Sequence, residues 1–282
     1  MKFFHHIKSR CVVYASLFAL SLFLFSCEDV VEVDLASSDN RLVIDAEILW
    51  DTATSGNVQQ IYLSRLTNYY ETETTKVANA EVYITNTSGD TFTFTETDEA
   101  GTYQCNDFAP QLQETYQLFV SVDDETFTAT ESLIATPEIN RIEQEADGGF
   151  LGEDYQVTFY YDDPAEEENF YLTDVEVDFL PLPEYDITSD DFFNGNEMDS
   201  DFSDEDLEPG YTLAIRFRAI SEQFHSYMSL ILESTSANPF GTPPANIRGN
   251  IINETNEDNY ALGYFRLSQV REFTYTVEEE QE

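Results

Sequence analysis

The chain has 282 residues, of which 56 are acidic and 12 basic, and its formal net charge is −44 at pH 7. This excess of negative charge excludes nucleic acid as a partner, because binding a phosphate backbone needs a basic surface that displaces counterions. Hydrophobic residues make up 41% of the chain and aromatic residues 14%, which is too much apolar content for a disordered acidic protein. We therefore expect a folded body of one large or two ordinary domains.

The N-terminal segment, residues 1–26, has the layout of an export signal. Lys2, Lys8 and Arg10 precede an almost unbroken apolar run over residues 11–25. This run is shorter than the roughly 20 residues that a membrane-spanning helix needs, so we expect export rather than insertion. Loss of the signal would leave nine basic and 56 acidic residues, a formal charge of −47.

The apolar run ends in the tetrapeptide Leu24-Phe25-Ser26-Cys27. It resembles the lipobox of bacterial lipoproteins, in which the cysteine thiol is diacylated and the chain is cleaved just before that residue. The resemblance implies that Cys27 carries lipid and anchors the protein in outer-membrane lipid. An ordinary secretory signal that contains a chance cysteine is the alternative.

The first half of the mature chain predicts an acidic tether followed by a β-sandwich. The tether covers residues 27–40 and is rich in Asp and Glu. Apolar and polar residues then alternate over residues 42–50, which is typical of a half-buried strand, and similar runs recur up to Pro137. Turn residues separate these runs. The pattern favours an immunoglobulin-like antiparallel β-sandwich over residues 41–137.

The second half predicts a linker over residues 138–154 and a second β-rich domain over residues 155–282. A helical repeat of apolar residues predicts one amphipathic helix over residues 221–234, with Ser221 as its N-cap. The acidic stretch 186–209 is predicted to be a long exposed loop. Two closing strands are expected, over residues 261–267 and 273–277.

Thiol and imidazole chemistry is scarce in the mature chain. With Cys11 in the signal and Cys27 committed to lipid, Cys105 remains the single free cysteine, so no intramolecular disulfide is possible. His225 is likewise the single histidine, which excludes zinc sites built on His and Cys. A Cys-His nucleophile pair would require these two residues to face each other. We expect no enzyme activity; a glycosidase carboxylate pair is the alternative, but the many acids single out no pair.

One acidic cluster has the oxygen spacing of a calcium loop. Asp199, Asp201, Asp204 and Asp206 place carboxylates at alternate positions. The sequence departs from an EF-hand, since Asp204 stands where that loop has its invariant glycine and Gly210 where it has a bidentate glutamate. A solvated acidic loop is the favoured interpretation, and Ca²⁺ is the one cofactor that the sequence offers.

Two aromatic pairs lie outside any predicted strand, namely Phe192-Phe193 and Tyr69-Tyr70. Exposed aromatic side chains that lack a strand context predict contact points for a partner. The alternative is that these loops fold back over the sandwiches.

Several motifs of the first half resemble the transthyretin-like or carboxypeptidase-regulatory-like sandwich. They are Ala80-x-Val82-x-Ile84, Gly89, Thr97-Asp98-x-x-Gly101-x-Tyr103 and Tyr116-x-Leu118-x-Val120. Alternating strands and one tight turn supply most of this pattern. The resemblance implies an immunoglobulin-type fold for this half of the chain.

The motifs of the second half resemble one particular family. They are Asp163-Pro164, Asn169-Phe170-Tyr171, the run 189–195, Asn238-Pro239-Phe240, Arg248-Gly249-Asn250-Ile251 and Leu262-Gly263-Tyr264-Phe265. With the lipobox they resemble a Bacteroidota outer-membrane lipoprotein family catalogued as domain of unknown function 4249, over nearly the whole mature chain. This family has no established catalytic residues, so none is carried over.

That resemblance implies a non-catalytic protein of the outer membrane. Members tend to be encoded beside TonB-dependent transporters, which implies an accessory or substrate-capturing subunit of such a β-barrel. Glu28 and Asp29 resemble the surface-export signal of lipoproteins in that phylum, which favours a position facing the cell exterior. The alternative function is a structural or adhesive surface lipoprotein whose acidic loops bridge cations.

Overall fold

The structure, a computed structural model, describes residues 40–67, 74–165, 167–235 and 247–279. The predicted export signal, the lipobox with Cys27, almost all of the acidic tether and the pair Tyr69-Tyr70 lie outside these ranges. In the part of the chain that is described, no helix has the length and apolar content needed to cross a bilayer.

The described residues form a mostly β fold with one helix, as predicted. In chain order the strands are β1 (Leu42–Trp50), β2 (Gln59–Arg65), β3 (Thr75–Lys76), β4 (Glu81–Asn86), β5 (Thr91–Glu96), β6 (Thr102–Cys105), β7 (Thr115–Val122), β8 (Glu125–Ser132), β9 (Ile139–Gly148), β10 (Asp154–Asp162), β11 (Phe170–Glu176), β12 (Glu184–Ser189), β13 (Glu197–Ser203), β14 (Thr212–Ile220), β15 (Ile252–Asn253) and β16 (Leu262–Thr276). The helix, α1 (Glu222–Thr235), confirms the predicted helix to within one residue at each end.

Most strands belong to one continuous curled sheet. Its order is β12-β11-β14-β16-β1-β2-β6-β5-β4-β7-β8-β15, with β3 beside β2, and a separate sheet has the order β13-β10-β9. Nearly all neighbours are antiparallel, but β1 and β16 are parallel. Parallel neighbours need a long crossover, and here that crossover is almost the entire protein.

The first sandwich surrounds one hydrophobic core built from β1, β2, β4 to β8 and the beginning of β16. Strand β1 shows why one face of each strand forms this core. Leu42, Ile44, Ala46 and Ile48 are buried, while Asp45 lies exposed on the opposite face. This period of two buries one face of each strand. The immunoglobulin-like sandwich predicted for the first half is therefore confirmed.

The second sandwich packs the small sheet against the β11 and β14 part of the large one. Aromatic side chains fill the space between them: Phe159 and Tyr161 of β10 contact Phe217 of β14 with ring centroids 5.2 and 4.5 Å apart. Met198 and Phe202 of β13 are buried in the same core. This arrangement explains the high aromatic content by sheet packing alone.

Strand β16 belongs to both sandwiches. Its first half pairs with β1, from Leu262 to Gln269, and its second half pairs with β14, from Val270 to Thr276. The sequence predicted two strands here, over residues 261–267 and 273–277, separated by residues 268–272. Ser268 is instead buried and donates to the Ala219 carbonyl at 2.7 Å, so the strand continues through it.

The predicted linker, residues 138–154, consists largely of strand β9 and the turn that leads into β10. Ile139 and Ile142 pack on the second core, whereas Asn140 and Arg141 between them and the acidic residues after them are exposed to solvent. A strand with one charged face resembles a linker in sequence because half of its residues are polar.

The predicted exposed loop, residues 186–209, contains the end of β12 and all of β13. Glu197, Asp199 and Asp201 are exposed while Met198, Ser200 and Phe202 are buried. The acidic residues on the solvent face hid this alternation. The segment between β12 and β13, residues 190–196, is a loop. We call this segment the aromatic loop.

Candidate functional site

A pocket of about 340 Å³ lies between α1 and the face of the large sheet. Its wall is apolar and includes Phe224, Tyr227 and Met228 of the helix with Leu172 of β11. Ser221 accepts a hydrogen bond from the Phe224 backbone N–H at 3.3 Å, the N-cap contact that sets the start of the helix. Phe224 then packs on Tyr264 with ring centroids 4.8 Å apart.

Five charged residues of the pocket lining, Asp45, Glu47, Arg216, Arg218 and Arg266, belong to a longer chain of alternating charges, which we call the ion ladder. Its members, in spatial order, are Glu272, Arg216, Asp174, Arg218, Glu47, Arg266 and Asp45. They come from four adjacent strands, β11, β14, β16 and β1, and so cross the seam between the sandwiches. The ladder holds three of the nine basic residues that follow residue 26.

Strand register places these charges side by side. Asp174 lies directly opposite Arg216, which lies opposite Glu272, and Glu47 lies opposite Arg266. Arg266 Nε is 2.9 Å from Glu47 Oε1, and Arg216 Nε is 3.0 Å from Glu272 Oε1. Facing residues of opposite charge on neighbouring strands attract one another.

The centre of the ladder is buried. Arg218 and Asp174 are in direct contact, and each side chain is 3% exposed. Burial on its own raises the pKa of Glu47, but the charges of Arg266 and Arg218 outweigh it and hold that pKa below its ordinary value. Glu47 therefore stays ionised at neutral pH.

These contacts assign the ladder a structural role. Each of the three arginines is already paired with carboxylates, and the ladder carries four carboxylates in all. At the centre of the ladder, an anionic ligand would have to displace the buried Asp174 carboxylate from the buried Arg218 guanidinium, which is costly in a low-dielectric interior. The ladder joins β1 of the first sandwich to β11 and β14 of the second.

A different surface, the aromatic loop, carries the predicted partner-contact residues Phe192 and Phe193. Their side chains are 91% and 55% exposed. The structure thus places this predicted pair at the surface, and the alternative in which the loop folds back over the sandwich does not hold.

Hydrogen bonds hold the base of the aromatic loop. The backbone N–H groups of Phe193 and Asn194 both donate to the Asp190 carbonyl, at 2.7 and 2.8 Å. The buried Asp163 accepts from the Gly195 N–H at 2.8 Å and from the Tyr171 hydroxyl at 2.5 Å. The two phenylalanines therefore project from a braced turn, which lowers the entropy that a partner must remove on binding.

The predicted calcium residues do not form a loop. Asp199 and Asp201 occupy the solvent face of β13, and Asp204 and Asp206 lie in the turn after it, where the Asp206 N–H donates to Asp204. The alternate spacing that resembles a calcium loop is the alternation of a strand. No three acidic, imidazole or thiol groups converge as metal ligands within the described residues.

An acidic patch nevertheless forms where β12 and β13 approach each other. Partial burial raises the pKa of Asp201, and the negative charges of Asp199 and Asp186 raise it further. The pKa of Glu184 is raised in the same way by burial and by Asp204 and Asp186. These carboxylates are close enough to repel one another.

Cys105 and His225 occupy separate places. The Cys105 thiol is buried in the first core beside Asp107, and this burial raises its pKa to about 11. His225 lies on α1 with its ring 5.0 Å from that of Phe170, and burial lowers its pKa. A thiol with so high a pKa is a poor nucleophile.

Comparison with protein families identifies the chain. Residues 28–274 match the family described as Domain of unknown function (DUF4249). The protein belongs to this family. The match spans both sandwiches and ends within the last residues of β16, and it confirms the family resemblance that the second-half motifs carry. No curated protein matches the DUF4249 chain.

Solved structures similar to the DUF4249 chain are distant. A two-domain fibronectin type III segment of chicken tenascin matches 57% of this chain and 83% of its own, at 10% identity and a TM-score of 0.22. A cytokine receptor complex matches 85% of this chain and 97% of its own, at 10% identity and a TM-score of 0.27. The three fibronectin domains of chicken CNTN1 match 84% and 69%, at 11% identity and a TM-score of 0.26. At TM-scores this low, the similarities support no inference about function.

Sequence reasoning missed the ion ladder. Its members are far apart in the sequence, from Asp45 to Glu272, and the pairing of β11 with β14, of β14 with β16 and of β16 with β1 brings them together. The one available signal was the position of Arg216 and Arg218 within a strand that is otherwise apolar.

Proposed function

We propose that this DUF4249 protein is a non-catalytic, lipid-anchored protein of the outer membrane that binds a partner through the aromatic loop. The observation that carries the proposal is the exposure of Phe192 and Phe193 on a turn that is braced by Asp163 and Asp190. Large aromatic side chains are enriched at the centres of protein interfaces, and burying them there contributes much of the binding free energy.

The partner we propose is a TonB-dependent β-barrel transporter, for which this protein would serve as an accessory or substrate-capturing subunit. This choice comes from the family resemblance described above and from the predicted lipid on Cys27. The body has a formal charge of −47 and is repelled by anionic lipid surfaces, so the lipid would supply the attachment. The fold supports the proposal because β16 and the ion ladder join both sandwiches into one platform for the loop.

The test is co-purification from the native outer membrane. Affinity-tagged full-length protein is expressed in its own host and solubilised in detergent, and its partners are identified by mass spectrometry. We expect a TonB-dependent transporter in stoichiometric amount. The double variant F192S/F193S should recover at least tenfold less of it, while membrane attachment and thermal unfolding stay unchanged.

A matched control removes exposed apolar side chains elsewhere. Phe150 and Leu151, at the turn between β9 and β10, are 100% and 74% exposed. The variant F150S/L151S should retain the transporter. Equal loss in both double variants would contradict the role of the aromatic loop, and absence of any β-barrel would contradict the transporter proposal.

The alternative, an adhesive surface protein that bridges cations, is favoured by the acidic patch of Glu184, Asp186 and Asp201. It predicts calcium-dependent clustering of whole cells that is weakened by D186N/D201N. If clustering is lost in this variant while no transporter co-purifies with the natural chain, the adhesive function replaces the transporter function.

A further inference from the structure

The two sheets of the second sandwich differ in width. Each strand of the small sheet lies against one strand of the large sheet: β9 contacts β16 through Gln144 and Tyr275, β10 contacts β14 through Phe159 and Phe217, and β13 contacts β11 through Ser200 and Thr173. The large sheet continues for one more strand, β12, which forms its edge. Among the described residues, no strand of the small sheet therefore lies over β12.

The pairing of β12 with β11 identifies the side chains on this uncovered face. Asp186 lies opposite Thr173, and Glu184 lies opposite Val175. Thr173 and Val175 are buried between the two sheets. Directly opposite residues on neighbouring strands share one face of a sheet. Glu184 and Asp186 therefore lie on the inner face of β12, yet both residues are exposed.

The neighbouring edge of β13 carries backbone groups that no strand pairs. Just before β13 begins, the Asp163 N–H donates to the Asn196 carbonyl at 3.0 Å, so these two residues form a hydrogen-bonded pair. Such pairs alternate along an antiparallel ladder with pairs that direct their N–H and C=O groups away from the partner strand. The residues of β13 that turn these groups away from β10 are Glu197, Asp199, Asp201 and Ser203. No described strand lies beside this edge.

These features outline a place for one further strand of the small sheet, which we call the open strand position. The edge of β13 is its side, and the inner face of β12 is its floor. Neighbouring strands lie about 4.8 Å apart and packed sheets about 10 Å apart, so a strand that pairs with β13 lies over β12. Unpaired strand edges accept extended segments of other proteins in this way.

The side chains around the open strand position are acidic. They are Glu184 and Asp186 on the floor and Glu197, Asp199 and Asp201 on the solvent face of β13. Glu197 pairs with Arg141, and no described lysine or arginine pairs with the other four. Burial and the neighbouring carboxylates raise the pKa values of Glu184 and Asp201, so their surroundings disfavour the negative charge. A cationic side chain among these carboxylates relieves their repulsion.

We propose that an extended segment of a partner protein, rich in lysine or arginine, adds to β13 as the fourth strand of the small sheet. Backbone hydrogen bonds to β13 supply affinity, and cationic side chains that alternate with neutral ones meet the carboxylates. The same carboxylates repel a second copy of this chain, whose edge is also acidic, and the acidic tether over residues 27–40. The inference does not depend on the aromatic loop or on the transporter, so its failure leaves that proposal unchanged.

The experiment measures the binding of a fluorescein-labelled peptide in which threonine and lysine alternate over seven residues, the length of β13. Full-length protein purified in detergent is titrated in about 150 mM KCl, and fluorescence anisotropy reports binding. The natural chain should bind this peptide at least tenfold more tightly than a threonine–glutamate peptide of the same length. It should also bind it at least tenfold more tightly than the same peptide with every backbone nitrogen methylated, which keeps the charge but has no N–H donors.

Hydrogen exchange followed by mass spectrometry provides a second readout. The bound threonine–lysine peptide should slow exchange in β13, because its backbone covers N–H groups of that edge. Strand β9, the other edge of the small sheet, is the internal control and should be unchanged. Binding without slower exchange in β13 would overturn the proposal, since attraction between charges alone does not protect backbone N–H groups.

Substitutions of Asp199 separate backbone pairing from charge. D199N removes the carboxylate and keeps the N–H, whereas D199P also removes the N–H, which the ladder with β10 does not use. D199N should bind the threonine–lysine peptide within threefold of the natural chain, and D199P should bind it at least tenfold more weakly than D199N. Equal binding by the two variants overturns the proposal.

A charge-reversed variant tests the chemistry of the partner and also serves if D199P fails to fold. D186K/D201K should bind the threonine–lysine peptide at least tenfold more weakly than the natural chain and should prefer the threonine–glutamate peptide. The control D98K/E99K changes the net charge equally in the turn between β5 and β6, and should keep the natural preference. The proposal is overturned if the two double variants behave alike, if the methylated peptide binds as tightly as its parent, or if the natural chain binds neither charged peptide.

Discussion

The side chain of Asn250 pairs with the backbone of Phe265 as a neighbouring strand would. Asn250 Nδ2 donates to the Phe265 carbonyl at 2.8 Å, and the Phe265 N–H donates to Asn250 Oδ1 at 2.9 Å. Further along β16, the backbone of Ile134 occupies the same edge, and from Val270 onward β14 does. The edge of β16 that faces away from β1 is thus covered along its length, first by the Asn250 side chain, then by the backbone of Ile134 and finally by β14.

Replacing Asn250 with Ala should therefore destabilise the protein. The change leaves the partly buried N–H and C=O groups of Phe265 without partners, and we expect the free energy of unfolding to fall by about 2–3 kcal/mol. Urea unfolding followed by circular dichroism measures it. N256A is the control, since exposed Asn256 accepts one long side-chain hydrogen bond, 3.2 Å from Asp258 N, and should cost less than about 0.5 kcal/mol. Equal losses would mean that Asn250 does not protect the edge.

Gly263 allows β1 and β16 to pair closely. Its φ is +92°, and a Cβ atom at this position would lie 2.0 Å from the Ile44 carbonyl oxygen. Gly263→Ala should lower the free energy of unfolding by about 4 kcal/mol, or prevent folding, because the clash involves backbone on both sides.

Gly89 is a matched control for that substitution. Its φ is +93°, but a Cβ atom there would meet nothing within 4 Å. Gly89→Ala should cost about 1 kcal/mol, the price of the left-handed conformation alone. Thermal and urea unfolding of the two variants separate the effect of the clash from that of φ. Similar losses would show that the parallel pairing tolerates a side chain.

The ion ladder should respond very differently at its centre and at its end. Asp174→Asn leaves the buried Arg218 without its main partner, and we expect a loss of about 3–5 kcal/mol. Glu272→Gln removes the last carboxylate, whose side chain is 52% exposed, and should cost less than about 1 kcal/mol. Urea unfolding measures both. A small effect of D174N would mean that the buried centre of the ladder contributes little to the junction of the sandwiches.

The pH dependence of stability should report the ionisation of Glu47. Its pKa is lowered in the folded state, so its contribution is present above the pKa of an unfolded glutamate, about 4.3, and is lost as pH falls through the lower folded value. E47Q should therefore be less stable than the natural chain at pH 7, and the difference should shrink as pH falls below about 4.3. Urea unfolding between pH 7 and pH 3.5 measures this difference. A difference that is constant over this range would contradict a lowered pKa.

Much of the architecture could be predicted from the sequence because alternation is a local signal. Strands such as β1 and β7 and the helix α1 have apolar residues at the period of the element they form. The prediction failed where one face of a strand is acidic, as in β9 and β13, and where a buried polar residue interrupts an apolar run, as Ser268 does in β16. In each case, whether a polar residue faces solvent or is buried depends on which strand lies beside it in the fold, and that neighbour is distant in the sequence.

The sequence by itself determined the acidic β-rich class, the helix and the aromatic pair Phe192-Phe193, because composition and short periods depend on neighbouring residues only. Only the tertiary structure decided that β16 belongs to both sandwiches, that seven charges form one ladder, and that Asp190 is buried where its N–H donates to the Asn169 carbonyl. These features depend on contacts between residues distant in the chain. Strand pairing and the burial of charged groups produce these features, and a local pattern of residues specifies neither of them.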